Sequence, residues 1–209
     1  MRQKILFATG NAGKMREIRE ILQDMDAEIL SMKEAGIEAD IQENGTTFEE
    51  NAVIKAKAVA AAAGQSEVIV LADDSGLEID YLNKEPGIYS ARYLGENTSY
   101  AVKNQNLIDR LEGVPDHKRT ARFVCAIAAV LPEGEVITTR GVIEGRIDYE
   151  EKGSNGFGYD PIFYVPEFGR TTAELSIDEK NRVSHRARAL EDMKTKLKER
   201  LLPGEKVDV

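Results

Sequence analysis

Five consecutive apolar residues, Val68-Ile69-Val70-Leu71-Ala72, run directly into two adjacent carboxylates, Asp73-Asp74. A strand that is apolar at every position, rather than at alternate ones, has no face to turn to water. It needs cover on both sides, and the rest of the chain supplies the covering helices. Ile5-Leu6-Phe7-Ala8 is a second short apolar strand, ending at the turn cluster Thr9-Gly10-Asn11. Beyond it, Met15, Ile18, Ile21 and Leu22 fall at helical spacing. Thr47, three residues before Glu50, reads as a capping box opening an Ala-rich helix to about Ala63, with Gly64 as its stop.

Asp73-Asp74-Ser75-Gly76 is expected to end the apolar strand, with Leu77–Leu82 resuming as extended chain. Tyr100–Leu111 reads as a helix closed by Gly113 and Pro115. Thr120–Leu131 and Glu135–Ile147 are β-rich and flank Pro132-Glu133-Gly134, a hairpin signal. Gly153–Tyr159 carries three glycines and reads as loop, and Leu190, Met193, Leu197 and Leu201 mark one face of a terminal helix. The sum is a mixed α/β fold with a long central sheet, in one large domain across residues 1–209 or two closely packed lobes.

Charge narrows the partners. With 28 Lys plus Arg against 37 Asp plus Glu, the formal charge is −9. A net negative field argues against a general binder of nucleic-acid polymers or membranes, which would want a basic face. A small anionic substrate can still bind through a local cluster of donors. Cys125, the single cysteine, sits inside the apolar run Phe123–Val130 and reads as a buried, inert thiol. No stretch reaches the roughly 18 apolar residues of a bilayer span, and the N-terminus shows no signal-peptide pattern. These features place the chain in the cytoplasm.

Three groups of residues carry chemistry. Thr9-Gly10-Asn11-Ala12-Gly13-Lys14 joins a buried strand to a helix N-terminus, where amides and the helix dipole favour an anion and Lys14 adds a full charge. It is not a Walker A loop, because Ala8 stands where that pattern needs its first Gly and Met15 where it needs Ser or Thr. A tight turn with a solvated lysine fits the loop alone equally well. Asp73-Asp74, after a buried strand, occupy the place where open α/β sheets put ligand-binding groups. Two acids there repel and resist desolvation unless a cation such as Mg²⁺ relieves them, with Glu43, Glu49 and Glu50 near enough in sequence to complete a shell; an Asp-Ser-Gly turn with solvated acids is the other reading. Adjacent strand residues point to opposite faces, so one acid is expected to hold structure or a lysine and the other to face the cleft. Phe157-Gly158-Tyr159-Asp160-Pro161 suits stacking on a flat heterocycle, or an aromatic plug under a loop. After Lys180 and Ser184, His185 and Arg186 offer donors to a keto oxygen or a phosphate, although a Lys/Arg run before a helix also suits solvated surface.

Taken in order, Ala8–Lys14, Thr47-Phe48-Glu49-Glu50-Asn51-Ala52, Ala72–Leu77, Pro86–Tyr93, Gly156–Pro161 and Ser184-His185-Arg186 resemble the Ham1 family of inosine triphosphate (dITP/XTP) pyrophosphatases. The resemblance implies a two-lobed mixed sheet flanked by helices, with an active-site cleft between the lobes, and a homodimer. It implies hydrolysis of non-canonical purine nucleoside triphosphates (ITP, dITP, XTP) to monophosphate and pyrophosphate. By matching position, Thr9, Gly10, Asn11, Ala12, Gly13 and Lys14 look like triphosphate ligands, with Lys55 adding another. Asp74 looks like the catalytic acid-base residue and a Mg²⁺ ligand, with Glu43 the second metal ligand. Ser75, Phe157, Gly158, Tyr159, Asp160, Lys180, His185 and Arg186 look like nucleotide contacts. Ser154-Asn155 departs from the Thr-Gly or Gly-Gly more common there, which implies a stiffer loop. Two other readings stand beside this one: a pyrophosphatase for modified or pyrimidine triphosphates, and a non-catalytic nucleotide sensor.

Overall fold

The computed structural model describes residues 3–64 and 67–201. In chain order the elements are β1 (Gln3–Phe7), α1 (Ala12–Ile21), β2 (Ala27–Ser31), α2 (Phe48–Ala63), β3 (Val68–Ile79), α3 (Tyr100–Arg110), β4 (Thr120–Val130), β5 (Val136–Ile147), β6 (Phe163–Val165), β7 (Arg170–Thr171), α4 (Ile177–Val183) and α5 (His185–Leu201). The strands form one sheet of seven in the order β2-β1-β3-β4-β5-β6-β7. It is mixed: β1 runs parallel to β2 and β3, while β3, β4, β5, β6 and β7 alternate in direction.

The apolar strand is covered on both faces, as its composition demands. Ile69 and Leu71 pack with Cys125 and Ile127 beneath α1 and α5. Val70 and Ala72 pack on the opposite face with Phe48, Ala52, Ala56 and Val59 of α2. Those four follow helical spacing, and the facing Ala126 and Ala128 are small enough for α2 to lie close to the sheet. A third cluster, including Leu107, Phe123, Ile143, Ile162 and Phe163, fills the other half of the molecule. The cleft lies between that half and the strands β1–β3. On α5, Leu190, Met193 and Leu197 are buried as expected, while the side chain of Leu201 lies outside the described residues. Among the described residues, no helix is long and apolar enough to cross a membrane.

Two local expectations are corrected. Asp73-Asp74-Ser75-Gly76 does not end its strand, because β3 runs on to Ile79 before a 3₁₀ turn at Asp80–Leu82. The reason is β4, which pairs antiparallel with β3 throughout, Asp73 opposite Ile127 and Asp74 opposite Ala126. What ends here is β1, whose last rung pairs Phe7 with Leu71. The acids therefore sit just beyond the end of the parallel pairing, beside the loop that leaves β1. The capping box at α2 is only half formed. The Glu50 amide donates to Thr47 Oγ1, but the Glu50 carboxylate accepts from the Thr46 amide and hydroxyl instead of the Thr47 amide.

Candidate active site

The loop after β1 organises itself. The Thr9 hydroxyl accepts from the Asn11 amide (3.2 Å), and the Asn11 side chain caps α1 by accepting from the Lys14 amide (3.1 Å). This geometry directs Lys14 onto Asp73, Nζ to Oδ2 at 2.7 Å. Asp73 is fully buried on the α1/α5 face. It also accepts from the Ser75 hydroxyl at 2.9 Å and lies 3.5 Å from the Arg186 guanidinium. Burial opposes its ionisation, but Lys14, Arg186 and Lys55 outweigh it and hold the carboxyl below the usual range.

Asp74 points to the other face. Its carboxylate accepts from Asn51 Nδ2 on α2 (3.1 Å) and from the Ser75 amide (3.1 Å). Burial pushes its pKa up to about 6, opposed by Lys55 and Asn51 and aided by the nearby charge of Glu43. Lys55 donates to the Asp73 carbonyl at 3.0 Å and pairs with Glu43 at 3.1 Å. The alternation of a strand thus gives the two acids separate roles: Asp73 is an ion-paired anchor, and Asp74 is a carboxylate poised near neutrality.

At the far end of the cleft, Lys180 on α4 bonds Asp160 (2.7 Å) and Glu17 (3.1 Å), and Arg186 in the first turn of α5 also pairs with Glu17. Lys180 Nζ and the Arg186 guanidinium lie 5.0 and 5.7 Å from the centre of the Phe157 ring. His185 stacks on Phe123 at 5.0 Å, and burial with the neighbouring Arg186 and Lys180 keeps its pKa well below the ordinary value, so it is neutral at pH 7. His185 Nδ1 and Arg186 Nε are buried with no partner among the described residues.

One cavity of about 740 Å³ joins both ends. It is lined by Thr9, Gly10, Asn11, Lys14, Glu43 and Lys55 at one end and by Phe157, Gly158, Tyr159, Asp160, Lys180, His185 and Arg186 at the other, with Ser75 between.

A family model for the Ham1 family matches residues 5–196. A dITP/XTP pyrophosphatase of Clostridium perfringens is 50% identical over 199 residues, covering 94% of this chain and 98% of that protein. That of Bacillus subtilis is 46% identical, covering 91% and 95%. The chain belongs to the Ham1 family. Solved Ham1 structures agree in fold: that of Staphylococcus aureus has a TM-score of 0.83 at 40% identity, covering 95% of this chain and all of its own. The HAM1 protein of Coxiella burnetii has a TM-score of 0.83 at 44% identity, covering 94% and 99%.

Within this Ham1 chain, most of the residues singled out in the sequence meet in the one cavity, with instructive exceptions. Ala12 faces a second cavity on the other side of the loop, because α1 starts there and turns its first residue outward. Gly13 lines neither; a Cβ there would sit 3.3 Å from the Phe157 ring, so it marks a close approach of the two ends. Asp74, only 8% exposed, sits behind the cavity wall, although Ser75, Gly76, Glu43 and Lys55 around it all line that wall. Glu49 and Glu50 do not join the acids, being taken by Arg140 (2.6 Å) and by Thr46. Phe157 is the half-exposed cleft aromatic, whereas Tyr159 is the plug, its hydroxyl donating to the Ser90 carbonyl at 2.7 Å. Asp160 chiefly secures the loop, accepting from the Phe157 amide (2.8 Å) and the Thr172 hydroxyl (2.9 Å). Asn155 ties the same loop to Leu175 through its side chain (2.9 Å), a tether that glycine lacks. The sequence reading gave no role to Glu17 and none to Asn51 beyond its place in a matched stretch. Glu17 lies three residues after Lys14, on the same side of α1, and an acid beside an apolar stripe was the available signal.

Proposed function

We propose that this chain hydrolyses non-canonical purine nucleoside triphosphates (ITP, dITP, XTP) to the monophosphate and pyrophosphate. The observation that carries this reading is one cavity linking the wall around Asp74 to buried, unpartnered donors beside Phe157. The base would stack on Phe157, and its 6-keto oxygen would accept from Arg186 or His185. Adenine presents an amino group at that position and would leave donors unpaired, at about 1–3 kcal/mol each. The triphosphate tail would lie along the opening loop, between Lys14 and Lys55. Asp74, with a pKa near 6, is ionised enough at pH 7 to take a proton from an attacking water, and Asn51 fixes its orientation. Little covalent chemistry is asked of the protein, so positioning and charge compensation supply most of the rate.

Mg²⁺ fits the donors present. Its usual protein share is one or two carboxylates plus substrate phosphates. Asp74 and Glu43 would hold it, and a cation would relieve the burial that raises the Asp74 pKa. When bound it supplies charge neutralisation at the tail and polarisation of the phosphorus. The relatives' names and the deep burial of Cys125, whose thiol is pushed up to about 11 by burial, suit a cytoplasmic enzyme acting on the nucleotide pool. We extend the proposal to a homodimer. The segment Gly87–Arg92 braces β3 from within, Ser90 Oγ accepting from the Leu77 amide at 2.9 Å, and turns Tyr89 outward at 56% exposure.

A substrate panel with Mg²⁺ tests the reading. ITP, dITP and XTP should yield pyrophosphate at least tenfold more efficiently than ATP. Asp74→Asn should lose turnover by a hundredfold or more while staying folded, and EDTA should abolish activity reversibly. Equal hydrolysis of ATP and ITP would overturn the selectivity argument, and near-normal turnover by Asp74→Asn would remove that residue from the mechanism.

A further inference from the structure

Lys14 and Lys55 enter the cleft already matched, Lys14 with Asp73 at 2.7 Å and Lys55 with Glu43 at 3.1 Å. A polyphosphate tail carries several negative charges, and paired lysines answer only part of them. On a chain of formal charge −9, uncommitted cations near that tail are informative. Two exist beside the opening loop. Lys33 lines the main cavity and also a second cavity of about 470 Å³ on the other side of the loop, and Arg16 lines that second cavity. Neither side chain makes an ion pair or hydrogen bond among the described residues.

The other charged groups of the second cavity are spoken for. Arg19 is clasped by both oxygens of Glu34 (2.8 and 2.6 Å), and Glu34 also accepts from Ser31. Glu20 accepts from Asn181 (2.8 Å). With Arg19 and Glu34 cancelling each other, Arg16 and Lys33 stand against Glu20 alone, a net surplus of one positive charge. Thr9 and Gly10 line both cavities, so the loop forms a thin partition with a free lysine reaching each side.

We propose that Lys33, backed by Arg16 across the loop, grips the terminal phosphate of the tail, and that the second cavity is the subsite through which inorganic pyrophosphate leaves. The assignment rests on the triphosphate reading above, but its central claim, a pyrophosphate subsite, can be measured without turnover. Titration calorimetry of the unmodified chain with inorganic pyrophosphate, against Lys33→Gln, Arg16→Gln and the double variant, is the direct test. Both substitutions fall on exposed side chains, and thermal melting checks that each variant is folded. The double variant should bind pyrophosphate at least tenfold more weakly and show a smaller loss of affinity with added salt. Lys57→Gln, an exposed lysine on α2 outside both cavities, controls for net charge and should bind as the unmodified chain does. With ITP as substrate, KM and pyrophosphate inhibition should weaken together, while inhibition by IMP stays within twofold. Pyrophosphate affinity within twofold of the unmodified chain in the double variant, or an equal loss in Lys57→Gln, would overturn the subsite. Failure of the unmodified chain to hydrolyse ITP would instead overturn the function proposed above and leave the calorimetric comparison standing.

Discussion

At the scale of single residues, the division between Asp73 and Asp74 is the decisive feature. Two identical side chains, adjacent in sequence, end with pKa values displaced in opposite directions, because strand alternation puts one against cations and the other against α2. The displacement of Asp74 predicts a stability effect in the metal-free protein. Its folded pKa of about 6 exceeds the 3.8 of an unperturbed aspartate, so the folded state holds the extra proton between those values. The charged form is thus a burden on the fold above pH 6, a burden that lifts as pH falls towards 4. In EDTA, Asp74→Asn should raise the melting free energy by about 1–3 kcal/mol at pH 8 and by almost nothing at pH 4. A variant less stable than the parent at pH 8 would contradict the assigned burial cost. The opposite-face split could be read from the sequence, because it needs only the period of a strand. Which acid met which partner could not, since Arg186 and Asn51 reach the pair from α5 and α2, distant in sequence and joined only by the folded sheet.

Elements were legible to the degree that local signals decided them. The hairpin of β4 and β5, α3, and α2 with its Gly64 stop fall within a residue or two of their sequence bounds. The length of β3 was not legible, because the acids looked like a terminator and only the β4 ladder, some fifty residues later, keeps them extended. Close packing between elements was equally hidden. Gly141 on β5 reads as an ordinary strand glycine, yet a Cβ there would clash with the His185 carbonyl and meet the Ala189 amide at 2.6 Å. This glycine lets α5 lie directly on the sheet and so sets the depth of His185 and Arg186. Gly141→Ala should cost roughly 2–3 kcal/mol or more in denaturant unfolding. It should also raise KM for ITP as α5 is pushed outward. An unfolding midpoint equal to the parent's would show that α5 is not seated by this contact.

For the whole molecule, β3 and β4 are the common members. Each enters all three apolar clusters: Ile69, Leu71, Cys125 and Ile127 in one, Val70, Ala72, Val124 and Ala126 in the second, Leu77, Ile79, Ala121 and Phe123 in the third. The halves on either side of the cleft therefore share a spine, and their unfolding should be coupled. Far-ultraviolet circular dichroism and tyrosine fluorescence should report coincident transitions in denaturant; two separated transitions would show that the halves unfold independently. The same construction bears on how the cleft works. Asp74 belongs to a twelve-residue strand inside the sheet and is held by Asn51 of α2, whereas much of the cavity wall beside it comes from the loop after β1, the irregular stretch before α2 and Phe157-Gly158. The carboxylate is thus an anvil bolted to the frame, set against walls that are partly loop. Breathing of such loops would change how long a nucleotide stays without moving Asp74, the residue proposed to take the proton.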